Sequence, residues 1–435
     1  MEESALARAN GVGGGGARRL WRGYRKFVSR RLWDAVVSLT AAIMYVFCLW
    51  IPGRLQAAEV LDSKISSAGI VFRPDPLELD QLALFWALEL LVVFLVELGI
   101  VATFPRVKAI EDRHSRKHWQ IVAVVLIIAG FCAYMVFPVA LESRGLEGQG
   151  LVVLLRTALV CGLAVLAYFD GFGLWRFRIA LFAGTFFLIL ENVRSPLAVI
   201  VIAYVCGLLV RGSIYRLRIV VAMLCVTVCA ILAGTFMSEM RANSTRGEGR
   251  DAGAIVAEVL DDPADAVYGA GIDTLDGYRF AREIADFEPA RPADLFSPVT
   301  TFIPRSLWPE KPRSVSVEVS SKYLGYKASG QFLSPIGYLR LTMGSYVSGL
   351  LLFAVIFGVF AYLAQRLRGT IWFAILMVVV FRFLLGGSMF DVYYGLVLVV
   401  ILSGASLGVS LLKRDSPVVE HRENRGLIST SAASD

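Results

Sequence analysis

The chain predicts an all-α polytopic membrane protein, with about ten transmembrane helices and a mostly helical extracytoplasmic cap. Three observations carry that expectation. Hydrophobic residues make up 57% of the sequence and charged residues 18%, with a mean hydropathy of +0.65, whereas a soluble domain carries roughly a quarter charged residues. Apolar runs long enough for a bilayer recur along the chain. Between them, Lys and Arg collect in short segments that fall on the same side when the spans are threaded through a membrane.

Residues 1–32 read as a basic cytoplasmic tail, with a glycine run at Gly13 to Gly16 followed by Arg18, Arg19, Arg22, Arg25, Lys26, Arg30 and Arg31. The next apolar stretch is longer than a signal-peptide core, so it reads as a start-transfer helix. Spans are expected near 33–52, 81–104, 119–141, 150–170, 177–191, 196–210 and 219–238, then at 342–365, 370–390 and 392–412. Seven therefore fall in 33–238 and three in 342–412, separated by an outer loop at 239–341 and followed by a polar tail at 413–435. The basic loops 105–118, 211–218 and 366–369 lie on the side of the N-terminus, which places both termini in the cytoplasm.

The runs Ile179 to Leu190 and Leu197 to Val210 are short, reaching roughly 20 Å at 1.5 Å per residue. Their connection, Glu191 to Pro196, is expected below the outer surface, where irregular backbone must be buried in protein or line a wet cavity. Glu191 and Arg194 either neutralise one another there or face a funnel open to the outside.

The net charge of +7 belongs to topology-setting loops and does not indicate nucleic acid. All six cysteines lie in apolar runs, and the histidines are His114, His118 and His421. This pattern offers neither a disulfide framework nor a metal-ligand spacing in a loop.

Six arginines stand at or near the outer ends of apolar helices: Arg156, Arg194, Arg241, Arg305, Arg340 and Arg382. Charges at that depth are costly and mark substrate routes. The guanidinium fork also matches phosphate oxygens. Snorkelling accounts for any one of them, but accounts less well for several helices placing one at the same depth.

The outer loop is too long for a structureless connector. A short helix is expected at 251–260. A second is expected after Asp273 and Asp276, where Leu275, Phe280, Ile284 and Phe287 fall near helical spacing. Then comes Phe302-Ile-Pro-Arg-Ser-Leu-Trp-Pro-Glu-Lys-Pro312, in which Arg305 and Lys311 flank Trp308. Cations suit phosphate and an indole face suits a sugar ring, so this segment either clamps a glycolipid headgroup or packs its tryptophan on the cap. Ser334-Pro-Ile-Gly-Tyr-Leu-Arg340 follows, with Tyr338 and Arg340 expected at the mouth of the eighth span. The ninth ends in Arg382-Phe-Leu-Leu-Gly-Gly-Ser-Met-Phe-Asp391.

The string Ile303 to Pro312 at the end of a large outer loop, followed by Ser334-Pro-x-Gly337, resembles the oligosaccharide repeat-unit polymerases, the Wzy-like group of O-antigen and exopolysaccharide polymerases. The resemblance implies a GT-C-like glycosyltransferase of the bacterial inner membrane, independent of metal and cofactor. Its implied substrate is an undecaprenyl-diphosphate-linked oligosaccharide handled on the outer face, and its implied partners are a chain-length regulator and a flippase. By position, Arg305 and Lys311 match the family's loop motif, Arg340 the start of the next span, and Arg194 the arginine after the fifth.

On that reading Arg156, Arg194, Arg340 and Arg382 meet the diphosphate, Arg305 and Lys311 guide the headgroup or glycan, and Trp308 and Tyr338 also contact the diphosphate-linked glycan. Glu191 and Asp391 at membrane depth, or Asp273 and Asp276 in the cap, are then candidate bases, and Arg382 stabilises the leaving group. An O-antigen ligase is the nearest rival, but such ligases use a histidine in the large outer loop, and no histidine occurs from 119 to 420. A transporter or lipid-linked glycan flippase is the third reading.

Overall fold

A computed structural model describes residues 36–46, 50–57, 76–104, 113–136, 150–169, 181–185, 194–210, scattered positions between 253 and 310, 315–324, 333–386 and 389–415. Among the described residues there is no strand. The helices are α1 (Val36–Tyr45), α2 (Ile51–Ala57), α3 (Pro76–Thr103), α4 (Arg113–Val136), α5 (Gly150–Tyr168), α6 (Arg194–Val210), α7 (Val315–Leu324), α8 (Pro335–Met343), α9 (Tyr346–Leu367), α10 (Ile371–Gly386) and α11 (Met389–Asp415).

Three helical stretches are long and apolar enough to cross a membrane: Leu79–Thr103, Arg116–Val136 and Tyr346–Leu367. Leu84, Leu95, Ile128, Met135, Leu351 and Val355 on these helices all face outward. Such a surface is at home in hydrocarbon, where the helix has already satisfied its own backbone. The described part of the chain is therefore all-helical, and its long apolar helices associate it with a membrane. Shorter apolar helices occur at Thr157–Tyr168, Leu197–Gly207, Ile371–Leu384 and Gly395–Leu411.

Direct contacts fix helix directions. α4 and α5 form an antiparallel hairpin, because Gly130 lies against Leu159 while Gly162 lies against Ala123 and Ile127. A methyl built on Gly130 would come 2.4 Å from the Leu159 backbone nitrogen, so the close approach requires glycine. α3 and α9 run parallel, with Phe85 edge-on to Tyr346 at 5.4 Å at one end and Phe104 edge-on to Tyr362 at 5.0 Å at the other. α10 is the central helix, packed against α1, α6, α9 and α11, with Ala374, Val378, Val380 and Phe383 fully buried.

One end of the bundle is basic and aromatic. There Trp119 meets Trp372 edge-on at 5.7 Å, the Arg116 guanidinium donates to the Phe169 carbonyl at 3.5 Å, and His118 Nε2 lies 2.9 Å from Ser406 Oγ. Arg366 and Arg368 mark the same end, where the turn between α9 and α10 is closed by Thr370 N–H donating to the Leu367 carbonyl at 3.0 Å.

The opposite end carries the described residues of 277–296 together with α7, hereafter the cap. Helical hydrogen bonds join Ala285 N–H to the Ala281 carbonyl and Glu288 N–H to the Ile284 carbonyl. Gly277, Phe280, Ala281, Ile284, Ala285 and Glu288 form its buried face. This matches the helix expected from Phe280 and Ile284, whereas Leu275 and Phe287 lie outside the described residues. A short 3-10 turn, Pro292–Phe296, then packs on α8 and α11.

Two expected boundaries are corrected. The eighth span does not start as one helix near 342. α8 ends at Gly344, which adopts φ 76° and donates its N–H to the Arg340 carbonyl at 2.8 Å, and Ser345 then caps α9. A left-handed glycine followed by a serine cap is a stop followed by a start, and apolar content alone does not register it. Helix also continues past the expected end of the first span at 52, as α2 to Ala57. The expected span 219–238 lies outside the described residues, as does most of 177–191 and of the helix at 251–260.

Candidate functional site

The four arginines expected to meet diphosphate lie on α5, α6, α8 and α10. These helices are neighbours: α5 packs on α6 and α10, α6 on α10, and α8 on α10. Their relative heights follow from backbone geometry. Tyr168 at the end of α5 touches Gly207 of α6, so Arg156 and Arg194 stand about 18 and 20 Å away along their helices at ~1.5 Å per residue. Both Phe169 and Trp372 are tied to the start of α4, and Arg382 stands about 15 Å beyond Trp372 on the same count. Three arginine backbones thus share one level toward the cap end, on mutually packed helices.

Arg382 and Arg340 are both half-buried. The backbone of Arg340 is pressed against α9 at Gly349, where an added methyl would come 3.0 Å from the Arg340 nitrogen. The side chains of Arg156, Arg194 and Asp391 lie outside the described residues, as do Glu191, Arg241, Arg305 and Lys311 altogether. Trp308 is 37% exposed, in a turn beside Leu307.

Tyr338, expected at the mouth as a glycan contact, is placed differently. Its ring is buried, and its hydroxyl donates to the Asp294 carbonyl at 3.0 Å. It ties α8 to the 3-10 turn. The reason is helical register: in the short α8, residues Pro335 to Leu339 are all enclosed, and Arg340 is the first to emerge.

The entry to α8 is strained. Ser334 holds φ 56° and ψ 158°, outside the usual range for a residue with a side chain. Such backbone costs about 1–3 kcal/mol and persists where the surroundings over-determine it. Here Pro335 fixes the first helical position, and the Ser334 hydroxyl accepts from Gly337 N–H at 3.3 Å. Gly337 in turn admits Ala281, whose Cβ would be 2.6 Å from an added methyl. The Ser-Pro-x-Gly string is therefore the joint that seats the arginine-bearing helix beneath the cap.

The cap beside this joint holds a charge cluster that sequence reading missed. The Glu288 carboxylate is 2% exposed and accepts from Lys322, from the Tyr323 hydroxyl at 2.5 Å and from Arg291 at 3.2 Å; Arg291 also meets Glu318 at 2.8 Å. The Lys322 and Tyr323 hydrogen bonds hold the Glu288 carboxyl below the ordinary carboxylate range against its burial. Asp294 behaves oppositely. Burial pushes its carboxyl up to about 6, with Arg291 opposing and Glu318 adding repulsion. The available signal was the spacing Glu288-x-x-Arg291-x-x-Asp294, an arginine with a carboxylate three residues to either side.

Two carboxylates in α3 were also missed. Glu89 is fully buried and accepts from the Tyr45 and Tyr346 hydroxyls at 2.9 and 3.4 Å. Glu97, 2% exposed, accepts from the Val37 and Ser38 backbone N–H groups at 3.1 and 2.8 Å and from the Ser38 hydroxyl. A pair of acids eight residues apart on an apolar helix was legible as an intramembrane feature. Among the described residues, no group of three or more His, Cys, Asp or Glu side chains is placed to hold a metal ion.

Comparison with protein-family models, with curated proteins and with solved structures finds no match for this chain.

Proposed function

We propose that the chain is a metal-independent glycosyltransferase that polymerises undecaprenyl-diphosphate-linked oligosaccharide repeat units on the outer face of a bacterial inner membrane. The supporting observation is the packing of α5, α6, α8 and α10, which draws the helices of Arg156, Arg194, Arg340 and Arg382 together toward the cap end. In this reading the basic end is cytoplasmic, both termini lie there, about ten spans cross the bilayer and the cap is GT-C-like.

The chemistry asks little of the protein beyond charge stabilisation. As the bond between the anomeric carbon and the diphosphate oxygen breaks, negative charge grows on the diphosphate, and pre-placed guanidinium groups neutralise it. A hydroxyl at the sugar end of a second lipid-linked unit attacks that carbon, and its proton passes to a carboxylate, Glu191 or Asp391. Undecaprenyl diphosphate leaves. Arg305, Trp308 and Lys311 guide the glycan, while Tyr338 holds α8 in place.

Turnover of a defined lipid-linked repeat unit by the purified protein tests the reading. Arg382→Ala and Arg340→Ala are each expected to lower the rate by about a hundredfold or more, as loss of a transition-state donor does, at normal protein levels. Unchanged turnover removes either residue from the diphosphate site. Activity should survive a chelator, and loss that a divalent ion restores would overturn the metal-independent mechanism. In cells lacking the protein, single lipid-linked units should accumulate at the outer face, whereas inner-face accumulation would point to a flippase.

A further inference from the structure

We infer that Glu89 is a positioning residue for Arg340: through Tyr346 it holds the bend between α8 and α9, and with it the helix that carries the arginine. A carboxylate with no exposed surface inside a membrane-spanning helix is costly, and such groups are kept for function by default. Glu89 reaches Tyr346, the first residue of α9, whose ring also stands edge-on to Phe85 of α3. Two residues before Tyr346, Gly344 returns its N–H to the Arg340 carbonyl. One turn later, Gly349 receives the Arg340 backbone at close quarters. The bend is thus contacted on both sides by the same arginine's main chain, and Glu89 ties it to α3. The far end of α8 is tied separately, by Tyr338 to the cap. A nine-residue helix held at both ends projects Arg340 at a defined place.

This inference rests on the proposed reading only for what Arg340 does there. Where the arginine sits can be tested without turnover. In the full-length protein in lipid nanodiscs, position 340 is made a reporter by Arg340→Cys, and its alkylation rate is followed by peptide mass spectrometry, which separates it from the native cysteines. Two hydroxyl deletions are then compared. Tyr346→Phe removes the link from Glu89 to the bend and keeps the ring, while Tyr45→Phe removes the link from Glu89 to α1.

Tyr346→Phe should shift the alkylation rate about fivefold, the equilibrium change expected for one lost hydrogen bond, and Tyr45→Phe should leave it unchanged. With Arg340 intact, Tyr346→Phe should lower turnover of the lipid-linked unit while Tyr45→Phe does not. Equal alkylation in all three proteins, or equal shifts in both deletions, overturns the inference whatever the turnover. A shift confined to Tyr346→Phe, in a protein whose wild type processes no lipid-linked substrate, supports the positioning and overturns the polymerase reading.

Discussion

The bundle and the cap bury carboxylates in different company. Within α3, Glu97 is satisfied by neutral donors: two backbone N–H groups at the start of α1 and a serine hydroxyl. In the cap, Glu288 is satisfied by Lys322 and Arg291 together with a tyrosine hydroxyl. Desolvation explains the difference. A second full charge inside the packed apolar bundle would carry its own large transfer cost, whereas the first turn of a helix offers unpaired N–H groups and a partial positive charge that are already there. In the cap, Lys322 keeps more than half of its side chain exposed while reaching inward, so the ion pair costs little to assemble. The bundle uses its acids to fix helices, and the cap uses its acid to gather cations beside α8.

The sharpest way to break that contrast is Glu97→Ala. It leaves two N–H groups and a hydroxyl unpaired in a dry setting and should cost about 3 kcal/mol, read as a fall of several degrees in the unfolding midpoint in detergent. A midpoint that does not move would mean that the start of α1 finds other acceptors. Gly337→Val attacks the joint between the two regions by driving a side chain into Ala281. Its expected cost is about 1–3 kcal/mol, seen as faster hydrogen exchange in α8 and in 277–288 together.

The smallest effect is a pH dependence confined to the cap. Asp294 holds its proton in the fold up to about 6, above its ordinary value of 3.8. Its ionisation therefore favours the unfolded chain, and its contribution falls as pH rises across that interval, then stays constant. Glu288, with its carboxyl lowered, contributes stability that is present above the ordinary carboxylate range and lost as pH falls. Cap hydrogen exchange in Asp294→Asn, subtracted from wild type, should isolate the first slope, and Glu288→Gln should flatten the second. Identical profiles in all three proteins would show that neither carboxyl is coupled to cap opening.

Much of the bundle was legible because hydrocarbon imposes a simple rule on composition. The expected spans at 81–104, 119–141, 150–170, 196–210 and 392–412 each contain one described helix, with ends displaced by a few residues. The cap helix through Phe280 and Ile284 was legible from its periodicity. The bend at Gly344 and Ser345 was not, because an apolar count passes over a stop and a new start within two residues. Tyr338 was misplaced for a related reason: proximity to a helix end does not say which way a side chain turns. Of the arginine set, the residues themselves were visible as charges in the wrong medium, and which helices would be neighbours was not.

Composition, charge placement and spacing by themselves determined that the chain is helical and bound to a membrane. They also picked out the arginines and the Ser-Pro-x-Gly joint as unusual, because each is a local property of residues against a known solvent. Tertiary structure decided that α5, α6, α8 and α10 meet, that Glu89 and Glu97 close onto α1 and α9, and that Glu288 draws in Lys322 across 34 residues. Contacts of that kind depend on which of many equally apolar faces pack best together, and the pattern of one helix does not specify the surface of its neighbour.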